Sequence, residues 1–229
     1  MDYQNMERMI EFESKLALEQ ALCKQISADL ALAISQFDQA TLLLSGGSTP
    51  SGVYRLLSNE SLDWTKVHIG LVDERFVDAK SPFSNFKLLR ESIGQNAAQN
   101  APIYPLVLET EDYQKNLEKV EDTYRIFTEP DVVLLGMGPD GHTASIFPND
   151  TASDLANFNE AQLLSNTTAP SDPKQRITIN GPILRRANNL YLMITGTQKR
   201  LIFETSEQHH LPIAAFKTAL TETYFTSAS

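Results

Sequence analysis

Asp131-Val-Val-Leu-Leu-Gly-Met-Gly-Pro-Asp-Gly-His-Thr-Ala-Ser-Ile-Phe-Pro148 is the stretch from which the rest of this 229-residue chain can be read. Val132 to Leu135 is a short, wholly apolar run, the pattern of a buried strand. It stops at Gly136, Gly138 and Gly141, with Pro139 among them. That composition forces a compact loop and lets backbone approach a ligand closely. Two positions apart in the loop stand a carboxylate, Asp140, and an imidazole, His142. A strand that ends in a glycine loop carrying an acid and a potential base is where an open α/β sheet binds and transforms ligands. The plainer reading of the same residues is a Pro-Asp-Gly turn with an incidental histidine.

Outward from this stretch, strand and helix patterns alternate. Leu18, Leu22, Ile26, Leu30, Ala33 and Phe37 recur at spacings of three or four and predict a long amphipathic helix whose role is core packing. Thr41 to Ser45 reads as a buried strand. Thr49 is a candidate N-cap and Pro50 a first helical residue, with the helix running through Tyr54 and Leu57. Val67 to Val72 is a second strand, Asn85 to Ile93 a helix, Tyr104 to Leu108 a weak strand and Asp112 to Phe127 a charged helix. Beyond the central strand, Pro182 to Ala187 is helical, Leu190 to Ile194 a strand, Thr197 to Thr205 a helix and Pro212 to Phe216 a last strand. This order predicts one α/β domain spanning 1–229, with a mainly parallel, Rossmann-like sheet and helices on both faces. Ligands bind such sheets beyond the carboxyl ends of the strands. Ser45–Thr49, Asp73–Arg75, Gly136–His142 and Thr195–Lys199 all fall there, so four separate loops converge on one crevice.

Composition narrows the partners. With 41% hydrophobic residues the chain is large enough for one well-buried core. No apolar run approaches the roughly 18 residues of a membrane span. Residues 1–8 lack the basic start and apolar core of a signal peptide, and Met1 to Met9 are a candidate for disorder. One cysteine, Cys23, excludes an internal disulfide and fits a reducing compartment, so the expected location is the cytoplasm. A net charge of −10 argues against nucleic acid, yet a few focused cations can still hold one small anion. None of the four histidines pairs with a cysteine or second histidine at zinc-site spacing. Oligomeric state leaves no signal in the sequence.

Several clusters carry chemistry. Gly46-Gly47-Ser48-Thr49 leads into a helix, and free amides at such a start favour an anion, helped by two hydroxyls. It is neither a Walker loop nor a dinucleotide fingerprint. A plain Thr-Pro cap explains it equally well. Asp73-Glu74-Arg75 ends an apolar strand, where a surface turn would also tolerate charge. Lys199 and Arg200 open a helix, against its dipole, which hints at a bound anion. Arg176 follows a proline-rich loop. A solvated surface role is the alternative for each of these cations.

Together these stretches resemble the 6-phosphogluconolactonase family. The resemblance rests on Leu44–Pro50, on Asp73-Glu74-Arg75 with Ser84-Asn85 downstream, on Gly136–Ser145, on Arg176-Ile177-Thr178 and on Gly196–Lys199. It covers nearly the whole chain and matches poorly from Thr218 to Ser229. The same superfamily contains glucosamine-6-phosphate deaminases. There a glutamate stands five residues after the histidine and a tyrosine after the Asp-Glu pair. Here those positions are Phe147 and Arg75, and both favour the lactonase. The resemblance implies hydrolysis of 6-phospho-D-glucono-1,5-lactone without metal or organic cofactor. His142 would act as base, oriented by Asp140. Arg75 or the glycine-loop amides of Gly46 and Gly47 would stabilise the oxyanion. Ser48, Thr49, Arg176 and Lys199 would hold the phosphate, with Asp73 also at the substrate, either catalytic or, with Glu74, holding Arg75. No Gly-x-Ser-x-Gly elbow is present, so water attacks directly. The competing readings are an aldose–ketose isomerase or deaminase, in which Asp73 takes a proton from C2, and a sugar-phosphate sensor without turnover.

Overall fold

Wholly apolar runs of about five residues become parallel strands buried on both faces. The structure, a computed structural model, describes residues 9–228. Residues 1–8, most of the segment named as a candidate for disorder, and Ser229 lie outside the described residues; Met9 opens the first strand. In chain order the elements are β1 (Met9–Phe12), α1 (Lys15–Phe37), β2 (Ala40–Leu44), α2 (Ser51–Leu57), β3 (Val67–Leu71), β4 (Asp73–Arg75), α3 (Asn85–Ser92) and α4 (Tyr113–Tyr124). Then follow β5 (Val132–Gly136), α5 (Thr151–Phe158), β6 (Leu164–Thr168), β7 (Gln175–Ile179), α6 (Gly181–Arg185), β8 (Asn189–Thr195), α7 (Thr197–Glu204) and β9 (Glu222–Thr226). Among the described residues no helix is long and apolar enough to cross a membrane.

Six strands form one parallel sheet in the order β1-β9-β8-β5-β2-β3. The links from β1 to β2 and from β2 to β3 run one way across it, and those from β3 to β5, β5 to β8 and β8 to β9 run back. Right-handed crossovers then place α1 and α2 on one face and the crossover helices of the return path on the other. The single α/β domain with its parallel sheet is as the alternation predicts. Because the chain leaves β2 in one direction and β5 in the other, a crevice opens between their carboxyl ends.

The core explains why these elements hold. Every residue of β2 is buried, as are Val132 to Leu135 of β5 and Leu190 to Ile194 of β8. Each buried Val, Leu, Ile or Met side chain among them contributes about 1.5–3 kcal/mol relative to exposure, against the entropy of ordering the chain. Helix α1 starts at Ser14, whose hydroxyl accepts from Ala17 N at 3.2 Å, and ends where Asp38 turns left-handed at φ 60°. Its buried stripe, Leu18, Leu22, Cys23, Ile26, Leu30 and Ala33, contains the predicted apolar positions except Phe37, which is exposed.

Four local expectations need correction. Tyr104 to Leu108 is not a strand. Pro102 and Pro105 interrupt its ladder donors, leaving a one-residue bridge between Ile103 and Ile69 and the bond from Tyr104 N to Ile69 O at 2.8 Å. Pro212 to Phe216 belongs to a 3-10 helix, Pro212–Ala219, in which Ile213 and Phe216, three apart, turn inward together. The last strand is β9, in the segment where the family resemblance is poorest. Pro50, not Thr49, occupies the N-cap position of α2, and no side chain caps that end. Finally, Asp73–Arg75 is no bare loop: β4 pairs antiparallel with β7, and β7 with β6, in a second, three-stranded sheet. Ile179 N donates to Val72 O at 2.9 Å and ties this small sheet to the end of β3.

Tyr124 shows how the irregular segment after Ile103 is fastened. Its buried hydroxyl donates to Tyr104 O at 2.9 Å and accepts from Leu71 N at 3.1 Å. Tyr124→Phe leaves both partners short, and unfolding in urea should show a loss of about 1–3 kcal/mol with an unchanged slope.

Candidate active site

The loop after β5 is built around Gly138. A methyl group there would lie 2.1 Å from His142 Cε1 and 2.2 Å from its Nδ1, so only glycine lets the imidazole fold back onto the loop. Gly138 N donates to His142 O at 2.9 Å, and Gly141, at φ +79°, closes the turn. Asp140 Oδ1 accepts from His142 N at 3.2 Å and sits 2.5 Å from Nδ1. Burial pushes the Asp140 carboxyl up. The hydrogen bonds and charge of His142 outweigh this and hold it below its ordinary range. An ionised carboxylate can only accept, so in the neutral ring Nδ1–H donates to Asp140 Oδ1 and Nε2 keeps its lone pair.

Ser45 joins this loop to the one after β2. Its hydroxyl donates to Leu134 O at 2.9 Å and accepts from Gly136 N at 3.2 Å. Its carbonyl accepts from the buried Tyr54 hydroxyl at 2.5 Å. A methyl at Gly46 would lie 1.9 Å from Asn85 Oδ1, so the loop can pass this close to α3 only as glycine. Among the described residues, the amides of Gly46, Gly47, Ser48 and Thr49 donate to no protein acceptor. The uncapped start of α2 adds to this array of free donors, the arrangement that holds an anion.

A second wall comes from the small sheet. Arg75 and Arg176 are direct partners across β4 and β7. Like charges opposite one another destabilise a strand pair, so this register favours an anion between them. Arg75 is anchored by Nη1 on Phe83 O at 2.6 Å, while its buried Nε has no acceptor among the described residues. Arg176, 8% exposed, donates from Nε to Pro173 O at 2.7 Å, and its backbone N–H donates to the Tyr113 hydroxyl at 2.9 Å. Burial first, then the Arg75 guanidinium, lowers its pKa. Lys199, in the first turn of α7, is lowered by burial alone. Among the described residues none of these three cations forms an ion pair with a carboxylate. Arg200 differs: it pairs with Glu204 and Glu11 and takes no part in the crevice wall.

The two acids of β4 divide their work. Glu74, 1% exposed, accepts from Arg75 N, Asn85 N, Phe86 N and Ser84 Oγ at 2.8–3.0 Å. It anchors the start of α3. Burial pushes its carboxyl up against the pull of those amides. Asp73 is buried with one oxygen taken by Ser145 Oγ at 2.5 Å, and it borders the crevice.

The crevice encloses about 280 Å³. Of the residues singled out in the sequence, Gly46, Gly47, Ser48, Thr49, Asp73, Arg75, His142, Arg176 and Lys199 all border it. Asp140 stands behind His142 rather than on the wall. Sequence reasoning missed Asn85, whose Nδ2 donates to Asp73 O at 3.0 Å, and Ala144, whose backbone is left-handed at φ 50°. Asn85 stands beside Ser84 at the start of α3, where the sequence reads it as a helix start, yet it belongs to the Asp73–Arg75 motif that marks the site. Nothing in an alanine signals a left-handed backbone.

A family model described as "Glucosamine-6-phosphate isomerases/6-phosphogluconolactonase" matches residues 13–225. A 6-phosphogluconolactonase of Rhizobium meliloti is 35% identical over 210 residues, covering 89% of this chain and 90% of the relative. One from Neisseria meningitidis serogroup A is 33% identical, over 86% and 87%. The crystal structure of a 6-phosphogluconolactonase from Shewanella baltica superposes with a TM-score of 0.90 at 32% identity, covering 98% of this chain and 99% of that one. That of Thermotoga maritima gives 0.80 at 28%, covering 97% and 99%.

The packing of His142 onto Gly138 is directly testable. Gly138→Ala should leave far-ultraviolet circular dichroism unchanged. Nitrogen NMR of the His142 ring should change from a single Nδ1–H tautomer to a mixture. A retained single tautomer would show that the close approach does not hold the ring.

Proposed function

The chain belongs to the family of glucosamine-6-phosphate isomerases and 6-phosphogluconolactonases, and we infer that it hydrolyses 6-phospho-D-glucono-1,5-lactone to 6-phospho-D-gluconate, the second step of the oxidative pentose phosphate pathway. The observation that carries the residue-level reading is the His142–Asp140 pair, 2.5 Å apart, beside a crevice lined by three cations without carboxylate partners.

The chemistry follows from that arrangement. His142 Nε2 accepts a proton from a water as its oxygen attacks C1 of the lactone. Asp140 holds the ring and stabilises the imidazolium that forms. A positioned base of this kind contributes about 10²–10⁴-fold. Negative charge develops on the carbonyl oxygen, and Arg75, which borders the crevice, is the donor assigned to it. One such donor contributes about 3 kcal/mol in a site shielded from water. As the tetrahedral intermediate collapses, the bond from C1 to the ring oxygen breaks. The imidazolium returns its proton to that oxygen, which leaves as a hydroxyl.

Arg176, Lys199 and the Ser48–Thr49 turn hold the phosphate, far from the reacting carbon. Binding energy gathered there orients C1 against the water. Asp73 faces the sugar and accepts from a hydroxyl. Glu74 keeps β4 and α3 together and takes no proton. A cytoplasmic setting completes the reading: Cys23 is buried and free, its thiol pushed up to about 12 by burial first and by Glu60 second.

The test generates the lactone in situ with glucose-6-phosphate dehydrogenase and subtracts spontaneous hydrolysis. His142→Asn should lower kcat by about 10²–10⁴-fold while the protein stays folded. Arg176→Ala should raise KM by about 10- to 100-fold, the worth of a charge-assisted hydrogen bond, with little effect on unphosphorylated glucono-1,5-lactone. Release of ammonia from glucosamine 6-phosphate, with no lactonase activity, would overturn the assignment.

A further inference from the structure

Phe147 lies five residues beyond His142 and is 4% exposed. Its ring centroid is 4.8 Å from that of His142, the planes inclined at 43°. The guanidinium carbon of Arg176 stands 5.7 Å from the same centroid. The two contacts come from different parts of the fold, the loop after β5 and the strand β7. One ring therefore occupies the space between the candidate base and an arginine of the phosphate grip.

We propose that Phe147 is a positioning and specificity-determining residue of this site: its ring spaces His142 from Arg176 and, carrying no charge, leaves both free for substrate. The proposal rests on the roles given to those two residues above. His142 is confined from three directions. Asp140 takes Nδ1, Gly138 lies beneath the ring and Phe147 packs against it. Only Nε2 remains for water. Arg176 is desolvated by its surroundings without being neutralised, because its neighbour here is an aromatic ring rather than a carboxylate. An aromatic ring attracts a guanidinium weakly and keeps its charge available to an anion. A carboxylate at position 147 would instead form a bidentate pair with Arg176 and compete with substrate phosphate. A flexible aliphatic chain would fill the volume but define the separation poorly, and a misplacement of about 1 Å can cost about 10²-fold in rate.

The experiment compares Phe147→Leu, Arg176→Ala, the double variant and Phe147→Glu, on phosphorylated and unphosphorylated lactone across pH. Phe147→Leu should lower kcat/KM on the phosphorylated lactone by about 10-fold or more, through both kcat and KM. The KM effect should vanish in the Arg176→Ala background and on the unphosphorylated lactone, a coupling that a double-mutant cycle reads directly. Phe147→Glu should raise KM further. It should also move the acid limb of the kcat profile to higher pH, because negative charge beside the imidazole favours its protonated form. A packing defect would lower kcat on both substrates and leave that limb in place. Wild-type kinetics in Phe147→Leu, or losses that simply add to those of Arg176→Ala, would overturn the proposal. Should Phe147→Glu fail to fold, the leucine cycle decides alone. If Arg176→Ala itself leaves KM unchanged while the lactone is still hydrolysed, the phosphate role given to Arg176 fails first and this proposal falls with it.

Discussion

Strands β2 and β5 must stay bonded to one another while their chains leave in opposite directions, and every feature of the crevice depends on that. Ser45 bears the constraint. It stands one residue past β2, and its hydroxyl binds both Leu134 O and Gly136 N, so the ladder continues through a side chain after the backbones diverge. Beyond it the two glycine loops are free to part. One folds back upon itself around Gly138 to seat an acid and a base. The other runs past Asn85 and presents four amides that no group among the described residues accepts from. Both are local solutions to the same problem: ending a buried strand without burying unpaired polar groups.

Electrostatically the protein is divided. An overall charge of −10 surrounds a pocket bordered by three cations, Arg75, Arg176 and Lys199, and one carboxylate, Asp73. The acids closest to these cations are engaged elsewhere: Glu74 with four donors of its own chain and Asp73 with Ser145. Their negative charge still steadies the buried arginine through space, yet neither forms an ion pair with it. Burial of a cation without a carboxylate partner is costly, and the register of β4 on β7 adds to it by setting Arg75 directly opposite the buried Arg176. An anion bound between them would offset that cost.

How much of this was legible depended on whether the signal was local. Gly138, Asp140 and His142 stood out because glycine and proline punctuate a buried strand in no other way, and the apolar strands β2, β5 and β8 were evident from their runs alone. The small sheet was not. Leu164–Thr168 and Gln175–Ile179 are mostly polar by composition, and they are held in place by distant partners: Thr167 donates to Ser145 O and Tyr113 reaches across to Arg176, 22 and 63 residues away. The run Pro212 to Phe216 is short and apolar enough for either a strand or a helix, and only tertiary packing selects the tight helix that turns Ile213 and Phe216 inward. The positions of Arg75 and Arg176 came from the family motifs; their pairing is visible only in three dimensions.

The pairing of β1 with β9, in which Met9 faces Thr223 and Phe12 faces Thr226, has a consequence for how the molecule is made. Nearly the entire chain separates these partners, so during synthesis β1 waits without its neighbour while everything between them is translated. The strands flanking the crevice, β2, β5 and β8, are all available earlier, and their loops can assemble before that edge of the sheet exists. Closing so long a span carries an entropy penalty that grows only logarithmically with its length. The edge strand is thus completed last, on the far side of β8 from a pocket whose walls are already in place.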